Sequence, residues 1–320
     1  MQKTRLLLPL VVISLLTVGA TTPSAQARIR WREFPLPSAN SVPEDIASGL
    51  QGTMWFTEFQ NDKIGRLTSP GELTEYPVPT SDASPEGIEA GPDGAMWFTE
   101  WTGNRIGRIT TDGVITDWRI PTTVSSPYRI VTGPDGALWF TENVGNKIGR
   151  ITTDGVISEF GLPEGHSAPL GITLGPDQAL WFTEEMGDRI GRMTIHGAFR
   201  EFPLSAGSEP FEIAAGPDGA LWFTEFGRNM IGRITTDGAL TEFPVPMPNS
   251  DPDGIAAGPN ALWFTEYLTG RIGRITIEGT IDDAGTPTPN SYPAGIAVRP
   301  SGSVWFTESG GNNIGALRSG

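Results

Sequence analysis

The sequence predicts a seven-bladed β-propeller, and three observations lead to that prediction. The tetrapeptide Trp-Phe-Thr-Glu occurs seven times, at intervals of 41 or 42 residues. Each interval holds four short apolar segments separated by turn residues, and none of them shows a sustained helical period. The last interval lacks its fourth segment, and a matching segment, Trp31 to Pro37, precedes the first interval. A closed ring in which the N-terminal strand completes the last blade explains this offset, whereas a linear repeat array does not need it.

The four strands of one unit, called a to d, follow from its turn residues. In the second unit strand a is Gly87 to Gly91, and Pro92 to Gly94 forms the turn after it, where glycine supplies a positive φ. Strand b contains Trp-Phe-Thr-Glu and is apolar on both faces, as expected of a strand between two layers. Strand c is Ile-Gly-Arg-Ile-Thr, and a Thr-Asp-Gly hairpin leads to strand d. Strand d is Glu-Phe-Pro-Leu-Pro, whose prolines indicate an outer edge.

The first 27 residues are typical of a cleavable secretory signal. Lys3 and Arg5 precede an apolar run, Leu6 to Ala20, and Ala25 to Ala27 forms an Ala-x-Ala cleavage site. An uncleaved anchor is the alternative, but the apolar run is short for a membrane span. We therefore expect a secreted or periplasmic protein that is cleaved near Ala27-Arg28. Residues 28–320 are then a single propeller domain with no membrane span.

Charge and composition narrow the function. The formal net charge is -15, which argues against nucleic acid and favours a cationic or metal ligand. The chain has no cysteine and only two histidines, so thiolate and histidine-rich metal sites are excluded. We expect a monomer whose partner is a small molecule or a peptide, cationic or aromatic in character.

Three columns of the repeat vary while the framework hardly changes. They are the two positions after the proline that opens strand a and the position after Trp-Phe-Thr-Glu. In a propeller these positions lie on one face, around the mouth of the central channel, which predicts a binding site there. The alternative interpretation is that the sequences of these exposed loops have simply diverged between the repeats. The predicted ligand-binding residues are Glu44, Glu86, Tyr128, Arg129, Phe211, Glu212, Phe59, Trp101 and Tyr267.

Acidic residues of these columns suggest a cation site. Glu44, Glu86 and Asp253 are expected to form an arc across the ring closure, and gathered carboxylates raise one another's pKa unless a cation neutralises them. A Mg²⁺ or Ca²⁺ ion fits such a site, and a cationic ligand stacked on aromatic rings fits it equally well.

The other titratable candidates are the repeated glutamates and two residues near the mouth. We interpret the seven Trp-Phe-Thr-Glu glutamates as structural, either bridged to the arginine that recurs in strand c or capping backbone N–H groups. The seventh unit has Ala316 in place of that arginine, which leaves Glu308 as a catalytic candidate. Asp253 and His166 are the other two; His166 lies in a loop on the mouth side and is either a general base or a solvated loop residue.

The repeat Gly-Pro-Asp-Gly-Ala-Leu-Trp-Phe-Thr-Glu, followed by Asn-Lys-Ile-Gly-Arg-Ile-Thr-Thr-Asp-Gly, closely resembles the virginiamycin B lyase (streptogramin B lyase) family over essentially the whole mature chain. The resemblance implies a seven-bladed propeller and a Mg-dependent elimination that opens the ester of a cyclic depsipeptide antibiotic without water. The family's motif Glu-Pro-His-Gly-Ile, in the last blade, falls on Tyr292 to Ile296, with Ala294 at the histidine. A second family histidine falls on Asp253 and a further glutamate on Ser309.

Three functions stay open. The first is a non-catalytic binding propeller that uses the acidic, aromatic mouth. The second is a metal-dependent lyase or a related lactone-handling enzyme, with Asp253, Glu44 or His166 as a relocated base. The third is a protein-interaction platform. We favour the first, because an elimination needs a base to remove the proton and neither family histidine is present.

Overall fold

A computed structural model describes residues 30–69, 71–163 and 165–318 of the chain. Within them, 28 strands form seven four-stranded antiparallel sheets, as the repeat predicts. Two short 3-10 turns, Leu50–Gly52 and Phe59–Asn61, accompany the strands. No helix of this described part has the length and apolarity needed to cross a membrane. The predicted signal peptide and its cleavage site lie outside the described residues.

The strands follow one another blade by blade, after an N-terminal strand β1 (Arg30–Pro35). Blade 1 contains β2 (Pro43–Ser48), β3 (Met54–Glu58), β4 (Lys63–Leu67) and β5 (Leu73–Pro77). Blade 2 contains β6 (Pro85–Ala90), β7 (Met96–Glu100), β8 (Arg105–Ile109) and β9 (Ile115–Arg119). Blade 3 contains β10 (Pro127–Thr132), β11 (Leu138–Glu142), β12 (Lys147–Ile151) and β13 (Ile157–Gly161). Blade 4 contains β14 (Pro169–Leu174), β15 (Leu180–Glu184), β16 (Arg189–Met193) and β17 (Phe199–Pro203).

The remaining blades repeat the pattern. Blade 5 contains β18 (Pro210–Ala215), β19 (Leu221–Glu225), β20 (Met230–Ile234) and β21 (Leu240–Pro244). Blade 6 contains β22 (Pro252–Ala257), β23 (Ala261–Glu266), β24 (Arg271–Thr276) and β25 (Ile281–Gly285). Blade 7 contains β26 (Pro293–Val298), β27 (Val304–Glu308) and β28 (Asn313–Arg318), and β1 is its fourth strand.

The ring closes in the way that the chain ends predict. Strand β1 pairs antiparallel with β28, with Trp31 opposite Leu317 and Phe34 opposite Ile314. The innermost strands of neighbouring blades contact one another around the ring, including β26 of the last blade and β2 of the first. The core lies between the blades, where tryptophans and phenylalanines of the second strands pack against aliphatic side chains of the next blade.

In four blades an aspartate of the a–b turn binds both the tryptophan of strand b and the arginine of strand c. Asp93 Oδ1 accepts a hydrogen bond from Trp97 Nε1 at 3.0 Å, and its Oδ2 accepts one from Arg108 Nε at 2.6 Å. The same triad recurs in three further blades at Asp135, Trp139 and Arg150, at Asp177, Trp181 and Arg192, and at Asp218, Trp222 and Arg233. The predicted bridge between this arginine and the Trp-Phe-Thr-Glu glutamate is therefore wrong, because the arginine binds the turn aspartate.

The seven Trp-Phe-Thr-Glu glutamates are buried inside their blades and have no exposed surface. Burial raises the pKa of Glu58 to about 7 and that of Glu142 to about 8. Glu308, a catalytic candidate, is one of them; its Oε2 accepts a hydrogen bond from Asn313 Nδ2 at 3.0 Å. The change from arginine to Ala316 does not release Glu308, since that arginine is not the partner of the glutamate in the other blades.

Six of the seven Trp-Phe-Thr-Glu tryptophans also stack on an aromatic ring of strand d. Trp97 and Trp118, for example, have ring centroids 5.2 Å apart and an interplanar angle of 12°. The c–d turn of the next blade covers that ring closely enough that a Cβ added at Gly155 would overlap Trp118. Blade 6 is the exception: Ala284 replaces the ring, and a cavity of about 120 Å³ lies beside Trp263. Blade 7 has no c–d hairpin to cover a ring there, because its third and fourth strands come from opposite ends of the chain.

Candidate functional site

The loops around the mouth are held by buried polar contacts. Asn104, in the b–c turn of blade 2, accepts hydrogen bonds at 2.7 Å from both the backbone nitrogen and the hydroxyl of Ser125. Ser125 lies between two residues with positive φ, Val124 and Ser126, so the loop makes a tight reversal before strand a begins at Pro127. The register pairs the first residue of each strand a with the last of strand b, which places the b–c turns and the d–a loops at the same end.

A buried arginine lies at the centre of this end of the channel. Arg129 Nε is 2.5 Å from Glu212 Oε1, and its Nη1 is 3.6 Å from Glu86 Oε1 and 3.8 Å from Asp45 Oδ2. These residues come from blades 3, 5, 2 and 1 respectively. Arg129 and Glu212 were predicted to bind a ligand, but in the structure they bind each other. The chain itself therefore supplies a cation to the acidic mouth.

Glycines make room for this cluster. The third position of strand a is glycine in four blades, and the other three hold Asp45, Arg129 and Glu212. A Cβ added at Gly87 would lie 2.6 Å from the carbonyl oxygen of Tyr128, and one at Gly171 would lie 2.8 Å from Glu212 Cα. Each charged side chain thus follows a blade that has glycine there. The sequence shows the three charges in this column, but it does not show that they meet.

The predicted acidic arc forms in the structure, where Glu44, Glu86 and Asp253 lie close enough to influence one another's pKa. Burial raises the pKa of Glu44 well above its ordinary value, and the nearby Glu86 and Asp253 raise it further, while Arg129 opposes them. Burial also raises the pKa values of Glu86, Glu212 and Asp253 to about 7, again opposed by Arg129. With Asp45, five carboxyl groups surround one guanidinium, so the mouth has more acidic groups than the arginine can neutralise.

Aromatic side chains form two groups beside the carboxyls. Trp101, Tyr128 and Phe211 are in edge-to-face contact, with successive centroids 5.7 and 5.9 Å apart. Phe226 extends this group at 6.1 Å from Phe211. Phe226 is in the same variable column as Trp101, which is the signal that could have placed it in the predicted site. Of the aromatic residues predicted to bind a ligand, Phe59 is half-buried and makes no ring contact within the described residues.

The second aromatic group pairs Tyr267 with Tyr292, whose centroids are 5.2 Å apart. Tyr292 occupies the position of the family motif's glutamate, and nothing in the repeat pattern predicts that it stacks. The two groups place rings on the walls of an opening that also holds Glu44 and Asp253, since both carboxyls raise the pKa of Tyr267 after burial does.

The remaining catalytic candidate, His166, lies away from this arrangement. It is exposed and has a φ of 64°, the left-handed value that Asn40, Asp82 and Asn249 adopt in the equivalent loops. Its position is therefore explained by the turn, where a left-handed residue is required.

The residues of the mouth do not fit a metal ion. Over residues 30–69, 71–163 and 165–318, no group of three or more histidine or acidic side chains is arranged to hold one. At the positions of the family motif the chain offers one carboxylate, Asp253; Ala294 has no donor, and the hydroxyl of Ser309 donates to the carbonyl oxygen of Pro43 at 2.8 Å. We therefore derive no step that passes through a metal.

Comparison with known proteins agrees with the fold and with the repeat. The profile of the virginiamycin B lyase family matches residues 17–261 and 174–320. The chain belongs to this family. A streptogramin B lyase structure is 42% identical, with a TM-score of 0.88, covering 91% of this chain and 98% of that one. Virginiamycin B lyase from Staphylococcus aureus is 41% identical, with a TM-score of 0.86, covering 90% and 99%.

A third structure has the same identity, coverage and TM-score as the second. It is a catalytically inactive histidine-to-alanine variant of the S. aureus virginiamycin B lyase, solved with quinupristin. Among curated protein sequences no match was found.

Proposed function

We propose that this member of the virginiamycin B lyase family binds a small molecule or peptide at the channel mouth and does not carry out the family's histidine-dependent elimination. The observation that supports it best is the combination of an excess of carboxyl groups with two aromatic groups at one opening. Carboxylates and aromatic faces together favour a ligand that is cationic, aromatic or both. We also propose that the protein is monomeric and acts outside the cytoplasm, after cleavage near Ala27.

The charge balance favours a cationic ligand in particular. Burial and mutual repulsion keep protons on part of the acidic group, so the free mouth is less negative than its composition suggests. A bound cation stabilises the ionised forms, and binding then releases protons. We therefore expect affinity to rise as the pH increases from 6 to 8.

Three exposed apolar residues at the rim of the mouth support a ligand of peptide size. Val144, Met186 and Leu268 lie in the b–c turns of blades 3, 4 and 6, and their side chains are 59%, 73% and 52% exposed. Exposed apolar side chains around a polar centre are typical of a surface that contacts a partner. A protein-interaction platform, the third function considered, draws its support from this same rim.

Replacement of both family histidines supports the absence of elimination. Ala294 cannot accept a proton, and it is buried against the backbone of blade 6, where its carbonyl oxygen accepts a hydrogen bond from Thr265 Oγ1 at 2.8 Å. One observation favours a second candidate, a lyase. Asp253 occupies the other histidine position, and burial raises its pKa to about 7, the value that suits a general base at neutral pH.

One experiment addresses both candidates. Quinupristin is titrated into the protein by calorimetry, and the mixture with Mg²⁺ is followed by mass spectrometry against a heat-inactivated control. We expect binding without a linearised product, and binding at least about tenfold weaker in Glu44→Gln/Asp253→Asn, which removes charge but leaves the partners of Arg129 intact. Turnover above the control, lost in the double variant, would establish the lyase. Equal binding by both proteins would place the site elsewhere.

A further inference from the structure

A second recess opens beside the mouth, between the loops of blades 2 and 3. Its volume is about 760 Å³. Its walls are the d–a loop that enters blade 2, the b–c turn of that blade and the d–a loop that follows it. We call this recess the blade-2 groove and define it by Asp82, Trp101, Arg105, Arg119 and Val124.

The groove contains an arginine without a partner. Arg119 ends β9, at a position where strand d of every other blade has proline or glycine. Its side chain is exposed and makes no hydrogen bond or ion pair within the described residues. The neighbouring Arg105 is different, because it is paired with Asp117. An unpaired guanidinium in a chain of net charge -15 offers five donors to a ligand oxyanion.

The groove also contains an unpaired carboxylate. Asp82 lines the same groove, and within the described residues its side chain binds neither Arg119 nor any other group. The two opposite charges therefore face one recess without neutralising each other. A ligand with both an ammonium and a carboxylate complements them, whereas a simple anion or cation satisfies one and is repelled by the other.

The lining is apolar at one position where the repeat is usually polar. Val124 has a φ of 59° and its side chain is 69% exposed, although the equivalent loops use asparagine, aspartate, histidine or glycine. A β-branched residue is strained in this conformation, and strain of this kind is concentrated at ligand contacts. Trp101, whose edge contacts Tyr128, supplies an aromatic surface to the same groove.

We propose that the blade-2 groove binds an aminocarboxylate with an apolar side chain, its carboxylate on Arg119, its ammonium toward Asp82, and its side chain against Trp101 and Val124. Three independent departures from the repeat, at Arg119, Val124 and Trp101, converge on this one recess. The chemistry is shared by a free amino acid and by a short peptide with free termini. The groove shares Trp101 with the aromatic group of the mouth but contains none of the charged residues around Arg129, so it does not rest on the function proposed above.

The test uses the mature protein and calorimetry with L-phenylalanine, the dipeptide phenylalanyl-phenylalanine and 3-phenylpropionate, which lacks the ammonium. We expect one of the first two to bind and to bind more tightly than 3-phenylpropionate. If L-phenylalanine binds more tightly than the dipeptide, the ligand class is a free amino acid. If the dipeptide binds more tightly, the ligand class is a peptide. Binding of neither would overturn the proposal.

Variants assign the binding to the groove. Arg119→Gly, which copies Gly161 and Gly285 at the same position, is expected to weaken all binding at least about tenfold. Asp82→Asn introduces the residue found at the equivalent position, Asn40. It is expected to weaken binding of the aminocarboxylate but not binding of 3-phenylpropionate. The mouth variant Glu44→Gln/Asp253→Asn is the control and should bind normally. Unchanged affinity in Arg119→Gly would overturn the proposal, and Arg119→Gln replaces it if the glycine variant melts early.

Discussion

Arg129 and Glu212 belong to blades 3 and 5, yet their side chains form an ion pair of 2.5 Å across the blade between them. The pair is possible because that intermediate blade has Gly171 at the same level, where any Cβ would meet Glu212. An internal guanidinium occupies the place in the acidic mouth for which the sequence suggested an external cation.

Removal of this guanidinium should destabilise the propeller in a pH-dependent way. In Arg129→Met, the carboxyl groups of Asp45, Glu86 and Glu212 lose their buried cation. We expect a loss of about 3–5 kcal/mol in the free energy of unfolding at pH 7.5. The loss should be smaller at pH 5, where protons neutralise the carboxyl groups. Urea denaturation at both pH values, with the exposed Arg200→Met as control, measures it. A loss that is the same at both pH values would contradict the assignment.

The buried glutamates of the blades should make the protein more stable in mild acid than in base. Burial raises the pKa values of Glu58, Glu100, Glu225, Glu266 and Glu308 to about 7 and that of Glu142 to about 8. Between pH 4.5 and 7 the unfolded chain releases these protons while the folded chain keeps them. The free energy of unfolding therefore falls with rising pH across this window and levels off above about pH 8.

Denaturation at pH 5, 6, 7 and 8 tests this slope. Glu142→Gln imitates the protonated side chain and should flatten the slope. Because a single proton is removed from the balance, the slope should change by at most about 1.4 kcal/mol per pH unit. Glu278→Gln, at an exposed turn, is the control. Turn aspartates such as Asp93 do not interfere: although burial raises its pKa, hydrogen bonds from Trp97 and Arg108 bring it below the ordinary value. A stability that rises from pH 5 to 8 would contradict the prediction.

The repeat makes the fold predictable because the same residues pack between neighbouring blades in every unit. The missing strand of the last unit even indicates the closure through Trp31 and Phe34. The site is harder to predict from the sequence, since it consists of the few positions that differ between blades. The columns identify Glu44, Glu86 and Asp253 as neighbours around one opening. They do not reveal that Arg129 crosses the channel, because this depends on where neighbouring blades have glycine.

Closure by β1 should be essential for stability. Deletion of residues 31–37 removes Phe34, which stacks on Trp305 at 5.7 Å, and Trp31, which contacts Phe306 at 5.9 Å, and it exposes the edge of β28. We expect a loss well above the roughly 1 kcal/mol of a typical substitution. Thermal unfolding measures it. Adding the deleted segment after Arg318 through a Thr-Thr-Asp-Gly hairpin, as in the other blades, should restore the melting temperature. A deletion variant that melts like the parent would disprove closure.

The seam between blades 6 and 7 offers a stabilising substitution. In the other blades a strand-d ring stacks on the tryptophan, but Ala284 leaves a cavity of about 120 Å³ beside Trp263. In Ala284→Phe the new ring fills this cavity and stacks on Trp263, although no c–d hairpin of blade 7 covers its outer face. We expect a gain of about 1 kcal/mol and a melting temperature higher by roughly 2–4 °C. Ala284→Leu fills the cavity without a ring, so a smaller gain there assigns the remainder to stacking. If Ala284→Phe melts at or below the parent temperature, the cavity is not a packing defect and the seam is relaxed around alanine.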